Sequence, residues 1–361
     1  MMRRVFLLAL IITALLFAVG RIVLAERLDG GYYTLVDEDG RSITMTARHL
    51  DIGDAYIAAD NKRYEVVAIS GDEVQVRYTE TITLPEVDSS AFRTQVGGTS
   101  PSGERVVGIY HTHNDESYVP SSGTESRDDG RGDILQVGRA LADAMENLGF
   151  TVIWSDNSHL PHDGQAYTRS RRTAMELLEK EPITLIDVHR DATPPEVYET
   201  EIEGQPATKV RIVVGRQNQN REANLEYAKR IKAVADEEFP GIIEGIFDAR
   251  GNYNQDLGPR MILLEFGAHT NYLEHAQQAA EFFAKVIPAA AGIEPGQAQA
   301  ADKEIGAPAG RSVFWILGIA AAVLIVYLVI NRQGLGSITS FFRREAGLGG
   351  TSDDDPGQEN G

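Results

Sequence analysis

The chain contains no cysteine. Disulfides and thiolate-held metal sites are therefore excluded, and any metal must be held by histidine, aspartate or glutamate. Cations are the second shortage: 34 Lys and Arg stand against 53 Asp and Glu, a formal net charge of −19. No long basic run interrupts the soluble part, so nucleic acid, which needs clustered cations, is a poor partner. Histidine is also sparse, yet five of the 8 fall between His111 and His189. Long apolar runs are rare as well, and the two that exist lie near the chain ends.

The first run, residues 5–19, follows Arg3 and Arg4 and reads as a signal peptide or signal anchor within 1–25. Val23, Leu24 and Ala25 offer small residues for cleavage after Ala25. The second run, 313–330, holds 18 residues without charge, with Trp315 and Tyr327 near its ends, and reads as a transmembrane helix. Arg332, Arg343 and Arg344 follow it, whereas Glu294, Asp302 and Glu304 precede it. The positive-inside rule then puts the tail, 331–361, in the cytoplasm and residues 26–311 outside the cell membrane.

Between the runs, residues 28–84 alternate apolar and polar with frequent turn signals, such as Asp39-Gly40 and Ser70-Gly71. Short alternating strands of this kind predict a small antiparallel β domain. Residues 85–104 read as a linker and 292–311, rich in Ala, Gly, Pro and Gln, as a stalk. Over 105–291 strands alternate with helices. Strands are expected at 105–110, 151–154, 183–188, 209–214 and 261–266, and helices at 134–148, 168–179, 222–238 and 273–286, the last stopping before Pro288. The fold class is α/β: a mostly parallel sheet with flanking helices, preceded by a small all-β unit. In such sheets the functional site lies at the carboxyl ends of the strands.

Three strand ends carry chemistry. The first runs into His111-Thr112-His113-Asn114-Asp115-Glu116, another ends Asp187-Val188-His189-Arg190-Asp191, and the last ends Leu263-Leu264-Glu265. Two imidazoles, one carboxylate and a water make a common catalytic zinc shell, with a further carboxylate free to move the proton. His113, Glu116 and His189 are the expected zinc ligands and Glu265 the general base and acid. His111 and Asp115 are alternative ligands, because two residues apart in an extended segment point the same way. A lone histidine at a strand end is commonly a hydrogen-bonded structural residue, and His189-Arg190-Asp191 could be a structural ion pair. Glu265 is the most telling residue, since an acid continuing a buried apolar strand is costly unless paired or functional. His111, Arg190 and Asn254 are candidates for lining the substrate groove.

Five segments together resemble the stage II sporulation protein P family. They are His111 to Tyr118, Asp187 to Ala192, Gly215 to Asn218, Tyr253 to Arg260 and Leu263 to Glu265. The resemblance covers about 105–290 in one order. It implies a zinc N-acetylmuramoyl-L-alanine amidase with endopeptidase activity on cross-linked stem peptides, a zinc-amidase-like fold, and peptidoglycan as substrate. It also implies a role in septal wall thinning during sporulation, and a lytic transglycosylase partner of the stage II sporulation protein D kind. Related zinc amidases end their first strand in Asp-Pro-Gly-His, and laying that pattern on Ile109 to His113 favours His113 over His111 as ligand. Two other functions stand beside this one: a wall-binding scaffold with a degenerate site, and a metal hydrolase of another wall bond, such as a deacetylase or carboxypeptidase.

Overall fold

The computed structural model describes residues 27, 30–87 and 105–291. The expected signal segment, stalk, transmembrane helix and tail lie outside the described residues. Among the described residues, no helix is long and apolar enough to cross a membrane.

The first segment forms β1 (Tyr33–Val36), β2 (Ser42–Thr46), β3 (Ala55–Ala58), β4 (Lys62–Ser70) and β5 (Glu73–Thr81). The second forms β6 (Val106–Tyr110), α1 (Ile134–Asn147), β7 (Thr151–Trp154), α2 (Ala166–Leu178), β8 (Thr184–Asp191), β9 (Glu199–Ile202), β10 (Gln205–Thr208), β11 (Val210–Gly215), α3 (Arg221–Glu238), β12 (Ile243–Ala249), β13 (Met261–Ala268) and α4 (Leu273–Ala290). Short one-turn helices at Val119–Ser122, Pro195–Val197 and Gln255–Leu257 lie in the connections.

The expected α/β architecture is present, with a mixed sheet in the order β2-β1-β5-β4-β3-β12-β11-β13-β8-β6-β7. From β12 to β7 the pairs are parallel except β11 with β13, which is antiparallel. The all-β unit is there too, antiparallel as expected except that β1 runs parallel to β5, and its strands continue the same sheet. β3 pairs antiparallel with β12, so that Ile57 faces Ile246 and Tyr56 faces Phe247. The two segments also share a core. Leu35, Leu50, Tyr56, Val66, Val74 and Val76 pack with Val213, Phe247, Tyr253 and Leu263. A segment of some 50 residues has too little interior to bury these side chains alone, and the edge of β12 supplies the missing half.

Strand alternation sorts the two faces of the sheet. Ile109, Val188, Ile212 and Leu264 face α1, α3 and α4, which bury Val137, Leu141, Ile231, Val234 and Phe283 against them. On the other face, Ala174 and Leu177 of α2 pack on Tyr110 and Leu185. Four elements differ from the sequence reading. β9 and β10 form a separate antiparallel hairpin that was not expected. β12 was not expected, because Glu244 and Gly245 break its apolar run. α4 continues past its expected stop and carries Pro288 inside it. Val286, Ile287, Pro288, Ala289 and Ala290 are all buried there, which offsets the roughly 3 kcal/mol that an interior proline costs.

Candidate metal centre

The site begins where β6 runs out. Tyr110 is the last strand residue, and the chain then turns tightly through 111–116. Three anchors fix the turn. Thr112 donates its N–H (2.8 Å) and its hydroxyl (2.6 Å) to the Asp187 carboxylate on β8. The Asn114 side chain donates to Gly130 O at 2.5 Å and accepts from the His159 N–H at 2.7 Å. The first turn of α1 holds the far end: Ile134 N–H donates to Glu116 O at 3.0 Å and Tyr118 N–H to Asp133 Oδ2 at 3.1 Å.

This turn carries His113 and Glu116 to His189 on β8. The ligand atoms of the three lie within 4.8 Å of one another, the group among the described residues that could hold a metal ion. All three side chains are buried. Glu116 Oε1 lies 3.2 Å from His113 Nδ1 and 3.2 Å from His189 Nδ1. Its other oxygen accepts the Arg190 N–H at 2.9 Å. Zinc–nitrogen and zinc–oxygen bonds of about 2.0–2.2 Å at tetrahedral angles put neighbouring donor atoms roughly 3.3 Å apart. The two distances from Glu116 Oε1 to the imidazole nitrogens, 3.2 Å each, are at that spacing.

The electrostatics also suit a cation. Burial pushes the His113 pKa down to about 4, helped by the neighbouring His162, so its ring is neutral and keeps a lone pair. Burial alone would raise the Glu116 carboxyl, but His189, Arg190 and the imidazole hydrogen bonds outweigh it and hold it well below the usual range. His189 shows the converse. Burial alone would lower its pKa, but Asp187 and Glu116 outweigh that and raise it well above the ordinary value. Nε2 of His189 is 2.9 Å from Asp187 Oδ1 and Nδ1 faces Glu116. Positive charge is favoured between those carboxylates, whether a proton or a metal carries it. A carboxylate behind a ligand imidazole is the usual way that ring is oriented.

Glu265 sits beside this group. Its backbone pairs with His189 in the β8–β13 register, which places both side chains on one face. It is buried, ion-paired with Arg48, and accepts the Tyr198 hydroxyl at 3.2 Å. Burial raises its pKa; Arg48 opposes this, and Asp191 adds to it.

The remaining expected residues have other partners. His111 does not join the three. The chain leaves the extended conformation after Tyr110, so the rings of His111 and His113 diverge. His111 takes the face of Ile109, toward α1, where Nδ1 is 3.1 Å from Val188 O and Nε2 accepts the Trp154 indole N–H at 3.1 Å. The Asp115 carboxylate lies 3.0 Å from His162 Nδ1, and the His162 ring stacks on His113 at 3.9 Å between centroids. Buried Arg190 donates to Glu125 O at 2.9 Å. Buried Asn254 donates to Tyr167 O and Ser170 Oγ at 3.2 and 3.1 Å, bracing the start of α2. There Tyr167 packs on His113 and His189, with centroid distances of 5.5 and 6.3 Å. The motif residue Gln255 is a brace as well, accepting from Gly215 N–H and donating to Val213 O at 2.8 Å each. Arg48, Asp187 and Tyr198 were missed as site residues. Asp187 was legible, since it stands two positions before His189 on a strand and so shares its face. Arg48 had no signal, being one arginine in a segment with no chemical motif.

Fold and site together define an α/β protein with a buried two-histidine, one-carboxylate group at the carboxyl edge of its sheet. The family described as Stage II sporulation protein P (SpoIIP) matches residues 54–288, and the chain belongs to that family. It is 34% identical over 202 residues to "Stage II sporulation protein P" of Bacillus subtilis (strain 168), a match covering 51% of this chain and 50% of that protein. The chain thus spans about half the length of that relative. Among solved structures it is similar to the CwlD amidase of Clostridioides difficile in complex with the GerS lipoprotein, with 14% identity, 52% of this chain and 96% of that one covered, and a TM-score of 0.37. It is also similar to the N-acetylmuramoyl-L-alanine amidase AmiC2 of Nostoc punctiforme, with 18% identity, coverages of 52% and 96%, and a TM-score of 0.35.

Proposed function

We propose that the chain is a zinc-dependent peptidoglycan hydrolase that cleaves the amide bond between N-acetylmuramic acid and L-alanine, with stem-peptide cross-links as a second target, in septal wall remodelling during sporulation. Family membership supports the sporulation role. The single observation that carries the chemistry is the pair of imidazole nitrogens, each 3.2 Å from one oxygen of Glu116.

In this reading His113, Glu116 and His189 hold the metal. Zinc bound there supplies Lewis-acid polarisation of the scissile carbonyl and makes a water acidic enough to attack near neutral pH. Glu265 takes a proton from the attacking water and hands it to the nitrogen of the leaving amine, so that the amide C–N bond breaks as a C–O bond forms. Asp187 orients the His189 ring from behind. The apolar run at 313–330 anchors the chain in the cell membrane with residues 105–291 on the outer side. A lytic transglycosylase of the stage II sporulation protein D kind is the expected partner, opening glycan strands whose stem peptides this chain removes.

The test is digestion of purified peptidoglycan by the full chain in detergent, followed by mass analysis of the products. Release of stem peptides with the sugar acetyl groups intact, abolished by a chelator and restored by zinc, is the expected result. Equal release with and without the chelator would sink the metal reading, and loss of acetyl groups would replace the amidase with a deacetylase.

A further inference from the structure

We propose that Arg48, contributed by the N-terminal strand segment, is a positioning residue that sets the orientation of the Glu265 carboxylate. The inference rests on the base role proposed for Glu265 and adds a residue from outside the segment that carries the other site residues.

Arg48 lies just beyond β2, and the backbone that carries it is tied to the site. The Ala47 N–H donates to Asp191 Oδ1 at 3.0 Å, and Asp191 closes the same strand that carries His189. Arg48 N–H donates to Thr46 Oγ1 at 3.1 Å, which fixes the direction in which the side chain leaves. The guanidinium is 2% exposed and lies over the Tyr253 ring at 5.1 Å from its centroid. From there it pairs with Glu265 Oε1. The second carboxylate oxygen accepts the Tyr198 hydroxyl at 3.2 Å, and Arg211 Nη1 is 3.7 Å away. Oε1 thus faces Arg48 Nη2, and Oε2 faces the Tyr198 hydroxyl, whose one hydrogen it shares with Asp191 Oδ2 at 3.0 Å, so Arg48 is the donor committed to Glu265. A proton-transferring group must present one lone pair at a set place. A planar guanidinium on a stiff backbone fixes the direction of its partner, which a flexible ammonium does not. The segment that carries Arg48 is therefore part of the catalytic unit.

The experiment uses the full chain in four forms: native, Arg48→Gln, Arg48→Lys and Glu265→Gln, with the Arg48→Gln/Glu265→Gln double variant. Turnover of a soluble muropeptide gives kcat and KM, and metal analysis gives bound zinc. We expect Arg48→Gln to lower kcat by about 100-fold and Arg48→Lys by about 10-fold, with KM within about twofold and zinc content unchanged. In the Glu265→Gln background, Arg48→Gln should cost nothing further, because both changes remove one interaction. Arg48→Lys keeps the buried charge and decides the question if Arg48→Gln fails to fold. A Glu265→Gln of strongly lowered but measurable kcat beside an Arg48→Lys with native kcat would overturn the inference alone. So would an unaltered Arg48→Gln penalty in the double variant. A Glu265→Gln protein with native turnover would overturn the base role, and this inference with it.

Discussion

A histidine held between one acceptor and one donor has a single tautomer. Val188 O can only accept, and the Trp154 indole N–H can only donate. Nδ1 of His111 therefore carries the hydrogen, and Nε2 keeps its lone pair. A second proton on Nε2 would break the Trp154 bond at a buried ring. Burial, the largest influence, pushes the His111 pKa down to about 4. The unfolded chain takes up this proton near pH 6.5, so it binds more protons than the native state between those values. Stability contributed by His111 is thus complete above about pH 6.5 and is lost as pH falls toward 4, by about 3 kcal/mol from a shift of that size. Urea unfolding at pH 7 and pH 4.5 should show a smaller decline in His111→Asn, which can still donate to Val188 O but does not titrate. Equal declines in the two proteins would show that His111 contributes nothing to the dependence.

At the scale of elements, the loop 111–133 decides whether the metal group exists at all, and it does so by close backbone approach. A side chain at Gly132 would run into the backbone of Asp115 and Glu116, neither of which can give way without moving Glu116. Its φ is not in the left-handed region, so space alone requires glycine here. Gly132→Ala should therefore weaken zinc binding by at least about tenfold and cost about 1–3 kcal/mol of stability. Competition against a chromophoric chelator measures the first quantity, and an unchanged affinity would show that the loop accommodates the methyl group. Such a requirement cannot be read from one glycine in a sequence. The regular elements could be: α1 has Ile134, Val137, Leu141 and Met145 buried at helical spacing, and β6, β8 and β13 have buried apolar runs. β12 could not, since Gly245 is there to let Tyr56 of β3 lie across the strand, its hydroxyl donating to Glu244 O at 2.9 Å. That contact joins residues 188 positions apart, and a local pattern holds no trace of it.

Across the whole molecule, the two segments are joined by charge as well as by apolar packing. Arg211 on β11 has no exposed surface, and it pairs with Glu244 at 2.6 Å and with Asp191. It also donates to Thr44 Oγ1 and Met45 O at 2.9 Å each, both on β2. Arg48 crosses in the same direction to Glu265. The convergence of a histidine from the first strand end with Glu116 and His189 was legible from residue types, and the family resemblance favoured His113 over His111; this cross-segment network was not legible, because each of its members is an ordinary charged residue until the fold pairs it. Breaking one buried ion pair by removing a partner costs about 3–5 kcal/mol, comparable to the whole stability of many domains. Residues 105–291 expressed alone would lose Arg48, Thr44 and the Met45 carbonyl together, and would expose the β12 edge with Phe247 beside it. Unpaired edges with apolar faces template aggregation. The fragment should therefore be insoluble or unfold without cooperativity, and co-expression of residues 27–87 as a separate chain should restore a soluble complex that elutes as one species. A monomeric 105–291 fragment with a sharp thermal transition would mean that the sheet closes on its own, and that the N-terminal strands are an accessory to the site.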